Sequence, residues 1–338
     1  MRSLPFLRFL RHTRPFTTNP MPRLNPASEA AIERLRAFRP PPTSYDLVPL
    51  SRRAAVLLLL YADPQGDLRV VLTIRAKTLS SYAGQAALPG GRADSLTETP
   101  FQTARREAHE EIGLPDNDAL LPRPFRVEHI CEIPSSLART ELIVRPCVAL
   151  LHAVDPVTGE TTDPEETLIP RLDAREVAAV FTAPFAQFLR ATDDLRWTGS
   201  GDPGEWYQGA WTEWHRENWR MHQFFVPIDP KTVVKPRSSN QAQQQAASAL
   251  EEKERTGTVT RYRVFGMTAR ILVDVARLAY AREPEFEHNS HFGDERLIAQ
   301  LREMGRLSPV RKRGDELTRE DLEMASQMSV RNEKSKLS

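Results

Sequence analysis

Apolar and polar positions along the middle of the chain follow a pattern that predicts strands. Two apolar runs, 54–62 (AAVLLLLYA) and 68–76 (LRVVLTIRA), flank a turn containing Asp63, Pro64 and Gly66, as in a β-hairpin. Further short apolar runs predict strands in QAALP before Gly90 and at 127–133, 141–151 and 177–183. The middle of the chain is therefore expected to build a sheet.

Other segments place apolar residues three and four positions apart, which predicts helices. They cover 27–39, 100–112, 184–190 and 266–281, and the first ends at the prolines of RPPPTSY. Because these helices interleave with the strands, the sequence predicts a mixed α+β or α/β domain.

The balance of charge argues against nucleic-acid and membrane partners. The 338 residues carry 46 lysines and arginines against 45 aspartates and glutamates, so no global field attracts either partner. The longest apolar run, 54–62, is far shorter than the roughly 20 residues that cross a bilayer. The two cysteines, Cys131 and Cys147, lie in apolar runs, which favours core thiols and a reducing compartment.

The two ends of the chain carry features related to targeting. Residues 1–26 contain five arginines and no acidic residue, a composition typical of mitochondrial transit peptides, although a disordered basic tail is the alternative. Met21 offers a second start that would delete most of this segment. At the other end, Ser-Lys-Leu is followed by Ser338 and so is not terminal. We expect a mitochondrial location, with peroxisomal or cytoplasmic location as the alternatives.

Composition divides the chain into three parts. Residues 1–40 are expected to form a targeting or disordered segment with a short helix, 41–285 the folded domain, and 286–338 a charged, disordered tail. The domain carries an insertion at about 191–260 with all five tryptophans and a glutamine-alanine tract, expected to be a loop or a short solvated helix. The tryptophans predict either a hairpin packed on the domain or a stacking platform for a base.

The helix at 100–112 has clear end signals. Thr99 can cap it, Pro100 suits its first position, and Gln102 completes a capping box. Gly113 supplies a left-handed stop. One stripe of the helix is apolar and can face a sheet; it consists of Phe101, Ala104, Ala108 and Ile112.

Beside that stripe, Glu107, Glu110 and Glu111 fall within an arc of about 100° and repel one another. A hard divalent cation such as Mg²⁺ would neutralise them, using carboxylates, waters and substrate phosphates as ligands. The alternative is a solvated acidic face paired with the neighbouring arginines. Gly90 and Gly91 precede the helix by a short loop and would let the backbone approach a metal closely.

The segment Gly91–Leu114 resembles the signature of Nudix hydrolases, Gly-x5-Glu-x7-Arg-Glu-U-x-Glu-Glu-x-Gly-U, where U is apolar. Six residues rather than five separate Gly91 from Glu98. The matched positions are Gly91, Glu98, Arg106, Glu107, Ala108, Glu110, Glu111, Gly113 and Leu114. The resemblance implies an α+β fold, an α/β/α sandwich with a mixed β-sheet between helices.

With this extra residue, the loop between Gly91 and Glu98 resembles that of the coenzyme A diphosphatase branch of the family. The branch's upstream motif is matched within 71–91 at Leu72, Thr73, Arg75, Leu79, Gly84, Gln85, Pro89, Gly90 and Gly91. Ser80 and Tyr82 replace the branch's arginine and histidine, and Leu88 replaces phenylalanine, which leaves the substrate contacts at 80 and 82 open. The likeness spans roughly 45–190 and 260–282.

The resemblance implies hydrolysis of a nucleoside diphosphate linked to another group, with Mg²⁺ or Mn²⁺ as cofactor. Glu107, Glu110 and Glu111 would bind the metal together with the carbonyl of Gly91. Arg106 would complete the catalytic set by holding Glu98 and orienting the helix, which Gly113 ends. The general base stays open between one of these glutamates and a later acid such as Glu176.

For the substrate, the resemblance implies a small molecule of the coenzyme A class, split into 3′,5′-adenosine bisphosphate and 4′-phosphopantetheine. Arg75 is the candidate phosphate contact, with an ordinary surface arginine as the alternative, and Gly90 and Gly91 complete the expected substrate-binding set. The remaining alternatives are a Nudix enzyme acting on oxidised nucleotides, NADH, ADP-ribose or capped RNA, and a non-catalytic Nudix-like binding module. The sequence does not indicate an oligomeric state.

Overall fold

The computed structural model of the protein describes residues 24–75, 85–155, 157–169, 172, 176–193, 205–214, 217–229, 233–236, 241–257, 260–309 and 317–336. The expected transit segment therefore lies outside the described residues except for its last three positions. Leu79, Ser80, Tyr82 and Gly84 of the upstream motif lie outside them as well.

The helices of the described chain are Pro26–Ala37 (α1), Pro100–Ile112 (α2), Pro164–Thr167 (α3), Gln241–Arg255 (α4), Gly266–Tyr280 (α5), Glu295–Glu303 (α6) and Arg319–Lys336 (α7). Short 3₁₀ helices cover Tyr45–Leu47, Leu50–Arg52, Asp118–Leu120 and Phe185–Leu189. The helix predicted at 184–190 is the last of these 3₁₀ helices.

The strands are Arg53–Ala62 (β1), Leu68–Arg75 (β2), Ala86–Ala87 (β3), Gly90–Arg92 (β4), Arg126–Glu132 (β5), Ser136–Leu137 (β6), Ile143–His152 (β7), Val177–Pro184 (β8), Tyr207–Trp214 (β9), Glu217–Pro227 (β10) and Arg261–Phe265 (β11). Within the described residues they form one sheet in the order β5-β7-β1-β2-β3-β11-β10-β9, while β4 pairs with β1, β6 with β7 and β8 with β2. Parallel pairs (β1 with β7, β3 with β11) stand beside antiparallel ones, so the sheet is mixed.

Strand β1 lies at the centre of two cores. Leu57 and Leu59 belong to the same apolar cluster as Ala104 and Ala108 of α2. Leu58 and Leu60 point the other way, into a cluster with residues of α1 and α5, because successive strand side chains alternate between faces. The sheet is thus covered by helices on both sides, which confirms the predicted α+β class and its α/β/α layering.

The insertion builds a second wing of the sheet. Strands β9 and β10 form an antiparallel hairpin that β11 continues, and Val264 of β11 pairs with Ala86 of β3. Trp206 is buried against Phe188 and Phe224, as expected for packing, whereas the ring of Trp211 is exposed. The glutamine-alanine tract is helix α4, the second of the two predicted alternatives.

The disorder predicted for 286–338 is wrong for two helices of this segment. Ile298 and Leu301 of α6 and Leu322 of α7 are buried in a third cluster together with Tyr45 and Ile143. The prediction rested on the low apolar content of the whole tail. The few apolar residues present recur at helical spacing, which gives each helix one buried stripe. Among the described helices, none has the length and hydropathy that a membrane-spanning helix requires.

Candidate active site

Two glycines bring β4 against β1 at the start of the site. Gly90 pairs with Val56 and has φ +151°, and a Cβ added to it would lie 2.6 Å from Val56 Cα and closer still to the carbonyl oxygen of Ala55. A Cβ added to Gly91 would lie 2.5 Å from Cδ and 2.6 Å from Oε1 of Glu107. Glycine at both positions therefore allows the backbone to pack directly against β1 and against a carboxylate of α2.

Helix α2 begins and ends at the residues that its sequence predicts. Gln102 N donates to Thr99 Oγ1 at 3.2 Å, and Thr99 N donates to Gln102 Oε1 at 2.9 Å, which closes the capping box. Gly113 takes φ +68° and its N–H donates to the carbonyl of His109 at 3.0 Å. The buried stripe faces β1, and two of the glutamates beside it, Glu107 and Glu111, lie against Gly91 and Gly90 of β4.

Glu111 is the most buried of the three glutamates, with 8% of its surface exposed. Gly90 N–H donates to its Oε2 at 3.0 Å. Burial raises the pKa of Glu111 to about 7, and the neighbouring charges of Glu107 and Glu176 act in the same direction. The Gly90 amide and the cationic Arg75 oppose this rise. Because the ionised form of Glu111 is destabilised in this way, any added positive charge nearby would stabilise it.

Glu107 and Glu110 differ in exposure although both belong to the predicted set. The Glu107 side chain is largely covered, and burial raises its pKa despite the nearby guanidinium of Arg106. The Glu110 side chain is 44% exposed and lies 3.2 Å from Arg106 Nη1.

Arg106 joins the loop to the helix. Its Nε donates to Glu98 Oε1 at 2.8 Å, its Nη2 to the carbonyl of Arg92 at 2.7 Å, and its Nη1 to Glu107 Oε1 at 3.1 Å. Glu98 also accepts from Asp94 N at 2.9 Å and Thr103 Oγ1 at 3.0 Å. Burial opposes ionisation of Glu98, but these hydrogen bonds outweigh it and lower its pKa. The salt-bridged loop thereby fixes where β4 meets α2.

The donor set of this site suits a hard divalent cation, since it consists of carboxylates beside a strand of backbone carbonyls. The Gly91 backbone leaves room for the Glu107 carboxylate where any other residue would fill it. In the described residues the three glutamates do not come within 4.8 Å of one another as a group. Arg106 holds Glu110 and the Gly90 amide holds Glu111, so these two carboxylates are tied to different partners.

Comparison with known proteins agrees with this geometry. The NUDIX domain model matches residues 51–198. The uncharacterized Nudix hydrolase NudL of Klebsiella pneumoniae is 34% identical over 164 residues, which cover 47% of this chain and 70% of that protein. The chain belongs to the Nudix hydrolase family. Nudix hydrolases generally require a divalent metal ion and act on small-molecule substrates.

Two eukaryotic relatives match more of the chain. The peroxisomal coenzyme A diphosphatase 1 of Saccharomyces cerevisiae is 29% identical over 307 residues, covering 82% of this chain and 85% of that protein. The mitochondrial Nudix hydrolase 15 of Arabidopsis thaliana is 30% identical over 235 residues, covering 70% of this chain and 61% of that protein.

The site of this Nudix hydrolase opens on a cavity of about 480 Å³. Gly90 and Arg75 both line it, and the buried Nε of Arg75 has no hydrogen-bond partner among the described residues. Arg75 also acts electrostatically on Glu111. Arg75 thus ends β2, lines the cavity and acts on the charge of Glu111.

Glu176 lies next to the same glutamate from the other side. Its backbone N–H is 3.4 Å from the carbonyl oxygen of Glu111, and its charge contributes to the raised pKa there. Glu176, the later acid that the sequence left open as the general base, thus lies beside one of the three glutamates that were the alternative.

A second group of possible metal ligands lies elsewhere and was not anticipated from the sequence. Atoms of His129, Glu132 and Cys147 come within 4.8 Å of one another. Glu132 already pairs with Arg145 Nε at 3.0 Å, and burial raises the pKa of the Cys147 thiol well above its usual value. A cation there would compete with a guanidinium and a protonated thiol, so we assign this group no role in the reaction.

Proposed function

We propose that the protein hydrolyses the diphosphate bond of coenzyme A or its acyl derivatives, giving 3′,5′-adenosine bisphosphate and 4′-phosphopantetheine or its acyl form. The observation that carries the proposal is that Arg75 and Gly90 line one cavity, while the Gly90 N–H donates to Glu111 and the charge of Arg75 acts on the same carboxylate. A diphosphate bound through a divalent metal needs carboxylates for the metal and a cationic side chain for its own oxygens. The choice of coenzyme A is supported by the yeast relative, which is named a coenzyme A diphosphatase and is matched along most of its length.

In this proposal Glu107, Glu110, Glu111 and the Gly91 carbonyl hold Mg²⁺ or Mn²⁺. When bound, the metal neutralises charge on the phosphoryl oxygens and lowers the pKa of the attacking water. The reaction adds water across the bond between one phosphorus and the bridging oxygen, and that oxygen leaves with the other phosphate.

The remaining residues act by position and charge. Arg75 donates to an oxygen of the diphosphate from the wall of the cavity that it lines. Arg106 keeps Glu107 and Glu110 in place and is itself held by Glu98. The proton of the attacking water passes to Glu111 or to Glu176, two acids whose charges interact at the site.

We propose residues 41–285 as the catalytic domain, with the insertion at about 191–260 as part of it, and a mitochondrial location directed by residues 1–26. The names of relatives support both mitochondria and peroxisomes as organelles of such enzymes. Fluorescent fusions that start at Met1 or at Met21 test the location: only the longer one should reach mitochondria, and an identical distribution of the two would contradict a presequence.

A substrate panel tests the activity. Purified protein is offered coenzyme A, acyl-coenzyme A, NADH, ADP-ribose, oxidised dGTP and capped RNA with Mg²⁺ or Mn²⁺, and products are separated chromatographically. We expect coenzyme A compounds to be split, Glu111→Gln to lose at least about a hundredfold in kcat, and Glu320→Gln, a matched change on the exposed face of α7, to behave as wild type. Turnover of capped RNA alone would refute the substrate assignment, and no turnover of any compound would favour a binding module.

A further inference from the structure

The cavity beside Gly90 has a second wall that the proposed hydrolysis does not use. It is formed by the hairpin of β9 and β10 and by the start of α5, and four of its six side chains are apolar. They are Trp219, Met221, Met267 and Ile271, with Thr212 and Thr268 between them. A chemically distinct wall of this kind implies a substrate group with its own chemistry.

The register of the hairpin determines which residues form this wall. Trp219 pairs with Thr212 and Met221 pairs with Ala210. Since side chains two apart share a face, Trp219 and Met221 lie on one side of β10 and His222 on the other. The apolar wall thus takes two neighbouring residues from one face of β10.

The opposite face of the hairpin is fastened to the rest of the protein by a buried chain of polar groups. Tyr207 Oη lies 3.0 Å from His222 Nδ1, His222 Nε2 lies 2.8 Å from His288 Nδ1, and His288 Nε2 lies 2.8 Å from Asp274 Oδ1 of α5. Burial lowers the pKa of His222 to about 3, so this imidazole is neutral near pH 7 and the chain persists without a buried charge there. The hairpin is therefore held at a fixed distance from α5.

The Trp219 ring is held as well. The guanidinium of Arg270 lies 5.1 Å from its centroid, and Arg270 in turn donates to Asp294 Oδ1 at 2.9 Å and to the carbonyl of Gly293 at 3.0 Å. A fixed indole and two methionines make a wall that is rigid at one point and adaptable at others, because methionine side chains adjust to irregular shapes.

One short strand, β3, connects this wall to the proposed site of hydrolysis at Gly90. Ala86 of β3 pairs with Val264 of β11, and Gly90 follows four residues later along the same chain segment. A substrate whose diphosphate lies at Gly90 can thus extend an attached group along the cavity toward β10.

Resting on the proposed function, we propose that this wall is the subsite for the acyl chain of acyl-coenzyme A, and that Trp219 and Met221 set the preference for chain length. An acyl chain fits better than the adenine base, since a base requires directional hydrogen bonds and the wall offers only two threonine hydroxyls. Contact with such a wall removes the methylene groups of the acyl chain from water, which raises affinity without any new polar contact.

The test is the dependence of kcat/KM on chain length, measured with the full chain for coenzyme A and its acetyl, butyryl, hexanoyl and octanoyl thioesters. We expect kcat/KM to rise with length, by at most about fourfold per methylene, until the cavity is filled. Met221→Gln, which keeps the size of the side chain and makes it polar, should reduce this slope by at least half. Met267 lines the same cavity from α5, so Met267→Gln should reduce the slope in the same way and replaces Met221→Gln if that variant folds poorly.

A matched control is Met324→Gln, the same change on an exposed residue of α7, which should keep the wild-type slope. A flat profile in wild type, with coenzyme A itself still split, would overturn the subsite but leave the proposed function standing. An equal loss for free and acylated substrates in Met221→Gln would also overturn it, because the wall would then contact a part that all of them share. Failure to split any coenzyme A compound would overturn the proposed function and the subsite together.

Discussion

Replacing Gly91 by alanine should separate catalysis from folding. The added Cβ would lie 2.5–2.6 Å from Cδ and Oε1 of Glu107, whereas ordinary contact begins at 3.4 Å, so the carboxylate must retreat by about 1 Å. Because the obstacle is the far end of a flexible side chain, the backbone need not move. The variant should therefore fold with a free energy of unfolding within about 1 kcal/mol of wild type.

Gly91→Ala should lose far more activity than stability. Misplacement of a positioned group by about 1 Å costs on the order of a hundredfold in rate, or about 2.7 kcal/mol in the barrier. We expect kcat/KM for coenzyme A to fall by that factor when Mg²⁺ is saturating for wild type, and the apparent affinity for Mg²⁺ to weaken.

Gly90→Ala is the contrasting variant. Its Cβ meets the backbone of Ala55 and Val56, and its φ of +151° is unfavourable for alanine. It should lose about 3 kcal/mol or more in urea denaturation. If Gly91→Ala retained activity within twofold of wild type, or lost as much stability as Gly90→Ala, the placement of Glu107 against the Gly91 backbone would not matter as we argue.

Three further variants test other contacts. Arg106→Lys cannot keep the separate bonds to Glu98 and Glu107 and should lower kcat/KM by about tenfold or more; unchanged kinetics would show that the arginine does not position these acids. The hydrogen bond from Arg36, helped by His152 and opposed by burial, lowers the pKa of Glu128 from 4.5 to about 2. The ionised Glu128 therefore stabilises the folded protein fully above pH 4.5, and this stabilisation is lost as the pH falls through 2. Glu128→Gln should therefore cost roughly 1 kcal/mol at pH 7 and progressively less as the pH falls through 2 in thermal unfolding. A cost independent of pH would contradict this link. Leu301→Ala should destabilise by about 2–5 kcal/mol in urea denaturation, whereas Met324→Ala on the exposed side of α7 should stay within about 0.5 kcal/mol of wild type; equal effects would mean that α6 is not part of the core.

The parts of the site that sequence could predict are those fixed by local rules. Thr99, Gln102 and Gly113 set the ends of α2 through capping chemistry within four residues of each end, and helical spacing alone places Glu107, Glu110 and Glu111 within one arc of the helix. The mixed sheet follows from the alternation of apolar runs and helices. Each of these features depends on neighbours in the chain.

The parts that sequence could not predict depend on contacts between distant residues. Nothing in the spacing of Glu107 and Glu110 indicates that one is covered by β4 while the other is partly exposed. Trp219 and Met221 reach the cavity only through the pairing of Ala86 with Val264, 178 positions apart in the chain. Likewise, α6 packs because Tyr45 and Ile143 offer it a surface, which the composition of the tail does not reveal.

The most direct test of the account measures formation of 3′,5′-adenosine bisphosphate from coenzyme A as Mg²⁺ is titrated, for wild type, Glu107→Gln, Glu111→Gln and the control Glu320→Gln. We predict saturable dependence on Mg²⁺ that a chelator abolishes, a loss of at least about a hundredfold in both active-site variants, and wild-type behaviour in the control. Hydrolysis that continues without a divalent ion, or that survives both glutamate changes, would contradict the claim that these acids hold a metal for the reaction.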